Sequence, residues 1–380
     1  MTEEQDQMCS YSDGGLTLKQ SKLTAAEIEN KIITVSSPSN IALVKYWGKH
    51  GNQLPLNPSI SFTLSQAKTE SRLQVSILKE SSSEVACNFV FAGASDTAFA
   101  LRIKKFLLEL VPIFPFIKEL EFNFATKNTF PHSAGIASSA SSMSAIALSL
   151  CLLEKFIFSH LLINDEEDAL KKKASFVARL GSGSACRSIF GGVVCWGDVD
   201  KNCEERNYFG KKITEVAPVF LDYQDAILIV SSAKKEVSSS QGHRLMENHP
   251  FKRARVEMAY HNALEMLTAL RTADLASFAR IVELEALTLH GLMMSSSPSY
   301  CLLHPNSLQI IQKIKEYRSQ TGLPLTFTLD AGPNIHLLFP SKIQGEVKNF
   351  ITRELLSFLE DGQVIYDWIG EGAGEISYAT

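Results

Sequence analysis

The sequence predicts an α+β protein with two domains, and three observations support this class. The chain has 380 residues, which exceeds the size at which a single hydrophobic core is usual. Strand-like and helix-like segments follow one another without the strict βαβ order of a parallel sheet. A polar, charged stretch at residues 198–224 separates two more apolar regions. We therefore expect an N-terminal domain of residues 1–224 and a C-terminal domain of residues 225–380.

The first domain is rich in strand patterns. Leu73, Val75 and Ile77 alternate with polar residues, as they do on a half-buried strand. Residues 1–30 are expected to form a loose polar lead-in, and Ser95 is the expected N-cap of the first long helix. The pattern predicts strands at residues 32–35, 41–47, 59–64, 72–78, 85–91, 120–124 and 191–196, and helices at 95–110, 141–158 and 164–179.

The second domain opens with a strongly apolar strand and continues with three helical stretches. The sequence contains no internal repeat and no low-complexity tract. The predicted strands cover residues 225–231, 323–329, 335–339 and 363–369, and the predicted helices cover 252–271, 274–293, 305–320 and 341–359.

Composition and charge exclude several classes of protein. Apolar residues make up 45% and charged residues 21%, which is ordinary for a globular protein. The formal net charge is −4 and there is no basic tract, so we expect no nucleic-acid partner. The longest apolar run, residues 145–153, is too short to span a bilayer, so we expect a buried helix and no membrane partner.

Cysteine usage and the N-terminal residues indicate the compartment. The seven cysteines form no CxxC pair and are odd in number, which argues against a disulfide framework or a zinc site. The N-terminus is polar and acidic, without the basic start and apolar core of a secretory signal. These features predict a reducing, cytoplasmic location.

A run of small residues at 133–140 lies between a predicted strand and a predicted helix. Gly135 permits a tight turn, and the helix start offers unpaired N–H groups and the positive end of a dipole. Strand, small-residue loop and helix start together predict a phosphate-binding loop. It is not of the Walker type, because no Gly-Lys-Ser or Gly-Lys-Thr follows. Alternatively, the run is only an N-cap and a tight packing site.

Three further segments carry side chains suited to chemistry. Lys45 shares a strand face with Ile41 and Leu43, so it must find an anion or lie at the strand's open end, unless it guards an edge strand. Arg187, in the glycine- and serine-rich stretch 181–188, suits an anion clamp or a solvent-facing turn. Asp330 ends an apolar strand and enters a Gly-Pro turn, where it either orients a hydroxyl proton or only forms the turn.

The segment 237–242 is open to two interpretations. Its serines can contact a ligand, or they can only cap the next helix. The histidines beyond it lie at spacings that do not match metal ligation, so His243, His249, His261 and His290 receive no chemical role. Glu283 and Glu285 are expected to be exposed or structural.

In this order, the segments resemble the diphosphomevalonate decarboxylases, a branch of the GHMP kinase superfamily. The phosphate loop is shared by the superfamily, whereas KYWGK, GSGSACRS and DAGPN together are specific to the decarboxylase branch. The matching stretches are NIALVKYWGK at residues 40–49, NPSISFTL at 57–64, FPHSAGIASSA at 130–140, GSGSACRS at 181–188, VSSSQG at 237–242 and DAGPN at 330–334.

The resemblance implies a fold and an activity. The N-terminal domain would be of the ribosomal-protein-S5 domain 2-like type and the C-terminal domain ferredoxin-like, with the active site between them. The reaction would be the ATP-dependent decarboxylation of (R)-5-diphosphomevalonate to isopentenyl diphosphate in the mevalonate pathway, releasing ADP, phosphate and CO2. ATP and Mg2+ would be required, the other partner would be the small-molecule substrate, and the family suggests a homodimer.

The resemblance also implies residue roles. Asp330 would meet the substrate's C3 hydroxyl, Lys45 would hold negative charge nearby, and Arg187 would grip the carboxylate. Substrate contacts are implied for Tyr46, Lys49, Ser182, Gly183, Ser184, Ser239 and Ser240. ATP contacts are implied for Pro131, Ser133, Gly135, Ala137, Ser138 and Ser139, with Ser139 next to the magnesium ion. Some members carry Arg where Ser240 stands, and Leu usually stands at Ile136.

Other activities remain open at this point. The chain could be a kinase of the same fold that stops after phosphorylation, such as a mevalonate 3-kinase, or a decarboxylase that uses the monophosphate. It could also be a non-catalytic binding or regulatory protein of the GHMP fold. The joint presence of the phosphate loop, Asp330, Lys45 and Arg187 argues against the last of these.

Overall fold

The protein has the predicted α+β class, with two main β-sheets packed against helices. The computed structural model describes residues 16–80, 84–130, 138–162, 167–233 and 237–376. One sheet has eight strands, another has four, and a short hairpin makes a third. The expectations for Pro131, Ser133, Gly135 and Ala137 lie outside the described residues.

The large sheet belongs mainly to the first half of the chain. Its strand order is β14 (Gly374–Glu375), β1, β4, β7, β5 and β6, with β8 and β9 extending from β4, and only the β5–β7 pair is parallel. The strands of this half are β1 (Ile32–Val44), β2 (Lys49–His50), β3 (Leu54–Pro55), β4 (Ser59–Ile77), β5 (Ala86–Phe91), β6 (Ala94–Ser95), β7 (Leu120–Asn128), β8 (Val193–Trp196) and β9 (Gly210–Lys212).

Two pairs of predicted strands are in fact single long strands. Residues 32–35 and 41–44 join into β1, and 59–64 and 72–77 join into β4. The strand expected to reach residue 47 is wrong over its last three residues, because β1 ends at Val44 and Lys45 lies just beyond it. The pairing of β1 with β4 shifts register between Pro38 and Asn40 and again between Ala42 and Val44. Such irregularities interrupt the alternation of apolar and polar residues, so the sequence pattern divides strands that the backbone continues.

Ten α-helices lie within the described residues. The loose lead-in expected for residues 1–30 is wrong over its last turns, because Thr24 forms a capping box for a short helix that buries Ile28. The helix expected from Ser95 is instead capped by Asp96. The helices are α1 (Ala25–Asn30), α2 (Thr97–Glu109), α3 (Ser138–Phe158), α4 (Glu167–Gly181), α5 (Ala185–Ser188), α6 (Ser239–Leu245), α7 (Lys252–Thr272), α8 (Leu275–Met294), α9 (Pro305–Thr321) and α10 (Gln344–Phe350).

Helix α3 forms the centre of the first core. It packs against β1 and β4, and sixteen of its residues are buried. By length and composition α3 could cross a membrane, but 78% of its apolar window is buried inside the protein. Packing against the sheet therefore accounts for its apolar character, as the sequence predicted for residues 145–153.

The second sheet is antiparallel throughout, in the order β11-β12-β10-β13. Its strands are β10 (Gln224–Leu228), β11 (Thr326–Thr328), β12 (Ile335–Phe339) and β13 (Val364–Trp368). The helix expected at residues 341–359 is wrong in its regularity, because α10 ends at Phe350 and continues as one π turn and one 3-10 turn.

The two halves of the chain share an apolar core. Phe62 of β4 packs against Tyr223 and Phe278, with ring centroids 5.8 Å apart in both pairs. Strand β14 (Gly374–Glu375), near the end of the chain, returns to pair with β1 of the large sheet. The division at residue 224 stays a prediction, and these contacts join the two halves of the chain.

Candidate active site

A polar cleft of about 390 Å³ gathers the segments that the sequence singled out. It lies between the end of β1, the loop before α5, the starts of α3 and α6, and the turn after β11. All ten residues predicted for catalysis or substrate binding line this cleft, together with both described serines of the phosphate loop: Lys45, Tyr46, Lys49, Ser138, Ser139, Ser182, Gly183, Ser184, Arg187, Ser239, Ser240 and Asp330.

Lys45 and Asp330 form an ion pair in the wall of the cleft. Lys45 Nζ lies 2.9 Å from Asp330 Oδ1 and also donates to the carbonyl oxygen of Ala42 at 2.7 Å. The Lys45 side chain is 2% exposed and that of Asp330 is 28% exposed. Burial lowers the pKa of Lys45, and the Asp330 carboxylate opposes that shift. The pair therefore presents a carboxylate to the cleft with its ammonium partner behind it.

The backbone of Lys45 is fixed by side chains from distant helices. Its N–H donates to Glu285 Oε2 at 2.8 Å, and its carbonyl accepts from Arg255 Nη2 at 2.8 Å and from Asn57 Nδ2 at 2.9 Å. Glu285 and Arg255 are themselves a buried bidentate pair. Helices α7 and α8 thus determine where Lys45 points, because no ladder partner holds the chain beyond the end of β1.

Arg187 is a buried cation with one unused nitrogen. Its Nε donates to Ser61 Oγ at 3.0 Å, its Nη2 donates to Asn40 Oδ1 at 3.1 Å, and its guanidinium lies 5.8 Å from the Trp196 ring centroid. Among the described residues, Nη1 has no hydrogen-bond partner although it is buried. A buried donor without a partner is costly, so this geometry suits an anionic ligand. The solvent-facing alternative for Arg187 is wrong.

The loop before α5 approaches the cleft through Gly183. A β-carbon at this position would lie 2.7 Å from Tyr46 Oη and 2.8 Å from the Trp196 ring. Glycine is therefore required by close packing at this point. Tyr46 Oη is buried and has no hydrogen-bond partner among the described residues, while the side chain lines the cleft.

The start of α6 also lines the cleft. Ser238 caps this helix by accepting from the N–H of Gln241 at 3.2 Å, while Ser239 and Ser240 line the cleft. Capping thus falls to Ser238, and the next two serines remain available for a ligand. Lys49 Nζ donates to Gln53 Oε1 at 2.9 Å beside them, and burial is the main cause of its lowered pKa.

Ser138 and Ser139 are the first residues of α3 and both line the cleft. No cluster of three or more His, Cys, Asp or Glu residues suited to a metal occurs in the described parts of the chain. Mg2+ usually keeps several waters and binds through substrate phosphates. Hydroxyl groups at a helix start therefore fit a magnesium ion that arrives with a nucleotide, and they do not fit a metal held by protein ligands alone.

Sequence reasoning missed several residues that complete the site. Asn40 orients Arg187, Glu285 and Arg255 orient Lys45, and His243 lies in the cleft wall. Glu285 is one of several charged residues in α8, so its charge alone did not distinguish it. Its partner lies 240 positions earlier in the chain, so no local pattern could identify the contact.

The topology and the cleft define the GHMP kinase type of two-domain fold. A family model described as the diphosphomevalonate decarboxylase-like N-terminal domain matches residues 37–206, and one described as the mevalonate 5-diphosphate decarboxylase C-terminal domain matches residues 226–368. The diphosphomevalonate decarboxylase of Ganoderma lucidum is 32% identical over 343 residues, covering 84% of this chain and 81% of that protein. The chain belongs to the diphosphomevalonate decarboxylase family.

Solved structures agree with this membership. The mevalonate diphosphate decarboxylase of Staphylococcus aureus superimposes with a TM-score of 0.76 at 25% identity, covering 91% of this chain and 98% of that one. A complex titled MDDEF with MVAPP, AMPPCP and magnesium gives a TM-score of 0.74 at 26% identity, covering 92% and 100% of the two chains.

Proposed function

We propose that this protein catalyses the ATP-dependent decarboxylation of (R)-5-diphosphomevalonate to isopentenyl diphosphate, with ADP, phosphate and CO2 as the other products. The observation that carries the proposal is the placement in one cleft of an Asp330–Lys45 pair and a buried Arg187 with an unpartnered nitrogen. Membership of the diphosphomevalonate decarboxylase family supports the same activity.

The chemistry explains why the cleft holds these side chains. A tertiary hydroxyl is a poor leaving group, so it first receives the γ-phosphoryl group of ATP, and its proton passes to the Asp330 carboxylate. The C3–O bond then breaks with release of phosphate, and positive charge develops at C3. The electron pair of the bond to the carboxylate carbon moves to form the C=C bond, and CO2 departs. Such transfer depends on positioning and charge neutralisation more than on covalent help.

Each polar group has a defined role in this scheme. Asp330 orients the hydroxyl and takes its proton, and Lys45 holds the carboxylate in place and stabilises negative charge beside it. Arg187 lines the cleft with a buried positive charge and would bind the substrate carboxylate. Tyr46, Lys49 and the cleft-lining serines of the two loops hold the diphosphate and the substrate backbone: Ser182, Ser184, Ser239 and Ser240.

The nucleotide would lie at the start of α3. Ser138 and Ser139 would contact its phosphates, with Pro131, Ser133, Gly135 and Ala137 forming the rest of the loop. When bound with the nucleotide, magnesium neutralises charge on the phosphates. Ser139 is the residue that we expect closest to the ion.

We also propose that the protein works in the cytoplasm as a homodimer, without a nucleic-acid or membrane partner. The six described cysteines are all free thiols, which fits a reducing compartment. The net charge of −4 gives no support for binding a polyanion over a wide surface. Sedimentation velocity at assay concentrations tests the dimer, and a purely monomeric protein with full activity would contradict it.

The decisive experiment measures the release of CO2 and the formation of ADP in the same reaction. The protein is incubated with ATP, magnesium and diphosphomevalonate labelled at the carboxyl carbon, and labelled CO2 and ADP are measured. We expect equal amounts of both, and at least a hundredfold loss of kcat/KM in Arg187→Gln. Asp361→Asn is the matched control, because Asp361 is outside the cleft and its left-handed φ of 51° suits asparagine.

The alternatives give different outcomes in the same assay. ADP without CO2 would identify a kinase that stops at the phosphorylated intermediate. Faster turnover of phosphomevalonate than of the diphosphate would identify a monophosphate decarboxylase. Tight ATP binding without any turnover would identify a non-catalytic binding protein.

A further inference from the structure

His243 lies in the wall of the cleft but has no place in the scheme above. It belongs to α6, which begins with Ser239 and Ser240. Residues three and four positions apart share one side of a helix, so both serines lie on the same side as His243. All three line the cleft. A ligand group that contacts these serines therefore also lies near the imidazole of His243.

The imidazole is held in one orientation and one tautomer. Its Nδ1 accepts a hydrogen bond from the backbone N–H of Gly48 at 3.0 Å. The ring packs on Tyr46 and Trp47, with centroid separations of 4.3 and 4.7 Å. Burial lowers the pKa of His243 to about 3, and Lys49 adds to that shift. The ring is therefore neutral, and its proton is on Nε2.

The Nε2–H group of His243 is a hydrogen-bond donor without an acceptor among the described residues. The Nε2 atom is also not fully buried, unlike Tyr46 Oη and Arg187 Nη1. Lys49 lies close enough to lower the His243 pKa, and Arg244 and Arg102 in turn lower that of Lys49. This wall of the cleft therefore combines positive charge with a fixed neutral donor, a combination that suits phosphate oxygens.

We infer that His243 is a substrate-binding residue whose Nε2–H donates to the diphosphate of the substrate, beside Lys49 and the serines of α6. The inference rests on the proposed function for the identity of the substrate. Its consequence is selectivity: a substrate without the diphosphate leaves the donor unpaired, and the reaction centre at Asp330 is unaffected.

Two substitutions of His243 separate its donor from its volume. His243→Met fills a similar space without a donor, whereas His243→Gln keeps an amide N–H near the position of Nε2. We expect His243→Met to raise the KM for diphosphomevalonate roughly tenfold, with kcat and the KM for ATP within about twofold of wild type. His243→Gln should recover most of the loss.

His249→Met is the matched control. His249 is also buried, but its Nε2 contacts the carbonyl oxygen of Leu292 at 3.0 Å and its Nδ1 accepts from the N–H of Phe251 at 3.1 Å. It is outside the cleft lining. This variant should lose thermal stability without a change in the KM for either substrate.

A spectroscopic measurement tests the contact directly. In the wild-type protein labelled with 15N-histidine, diphosphomevalonate and inorganic diphosphate should shift the Nε2 resonance that disappears in His243→Gln, and mevalonate should not. A His243→Met variant with an unchanged KM, or a His243→Gln variant no better than His243→Met, would overturn the inference, as would a raised KM for ATP alone. If the wild-type protein releases no CO2 the proposed function fails, and the diphosphate titration still tests His243 by itself.

Discussion

Asp330 presents a partly exposed carboxylate to the cleft while Lys45 holds it from behind. Replacing the acid by its amide keeps the shape and removes the proton acceptor. We expect Asp330→Asn to lower kcat by about a thousandfold, within the range for loss of a positioned base. Nucleotide binding should persist, because Asp330 lies on the turn after β11, whereas the predicted phosphate loop precedes α3 in the sequence. Turnover of Asp330→Asn within tenfold of wild type would remove this residue from the mechanism.

The lowered pKa of Lys45 leads to a prediction about the pH dependence of the reaction. Burial is the largest influence on its pKa and lowers it from the usual value of 10.5, so the ammonium loses its proton at a lower pH than an exposed lysine. Activity that needs this charge must therefore fall as pH rises through the lowered pKa. We expect kcat/KM for diphosphomevalonate to show an alkaline limb below pH 10.5.

Lys45→Arg provides the check on that assignment. A guanidinium stays protonated over the whole range, so the variant should lose the alkaline limb even though its absolute activity is lower. If the wild-type protein and Lys45→Arg show the same alkaline limb, another group is responsible for it. Thermal melts of both proteins at each pH separate loss of activity from loss of the fold.

At the scale of elements, the loop before α5 packs closely at Gly183 against Tyr46 and Trp196. A methyl group at Gly183 would meet Tyr46 Oη and the Trp196 ring at less than 3 Å, so both rings would have to move. We expect Gly183→Ala to raise the KM for diphosphomevalonate about tenfold and to cost about 1–3 kcal/mol of stability, as overpacking usually does. Steady-state kinetics and denaturant unfolding measure the two effects.

Gly345→Ala is the control for that prediction. Gly345 lies within α10, and a β-carbon there would meet nothing within 4 Å. The free energy of unfolding of the variant should rise by up to about 1 kcal/mol, because alanine has a higher helix propensity than glycine. Unchanged kinetics in Gly183→Ala would show that the loop yields and that Tyr46 does not need its present position.

The elements also show which parts of the site a sequence can predict. Lys45 was identified because it interrupts an apolar strand pattern, and Asp330 because it ends one; the structure pairs them. The sequence left Arg187 open between an anion clamp and a solvent-facing turn, because its burial and its contact with Asn40 depend on tertiary packing. Glu285 contacts the backbone of Lys45 from 240 positions further along the chain, and tertiary contacts of this kind leave no local signal.

At the scale of the whole molecule, the cleft exists because two sheets are held together. Beyond the shared aromatic core, the carboxylate of Asp367 on β13 accepts from three consecutive backbone N–H groups where β4 passes the second sheet. The donors are Ser65, Gln66 and Ala67, each at 2.8 Å. Asp367 is 1% exposed, so water cannot easily replace it as the acceptor.

Asp367→Ala tests how far the site depends on this junction. The substitution leaves backbone donors without an acceptor and opens a void, so we expect a loss of about 3 kcal/mol in the free energy of unfolding, or roughly 5–10 °C in Tm. Since the cleft takes Lys45 from one half of the chain and Asp330 from the other, kcat should fall severalfold at temperatures well below the melt. Asp361→Asn should change neither quantity. A normal kcat together with a lowered Tm would mean that the aromatic core alone is enough to keep Lys45 and Asp330 in their relative positions.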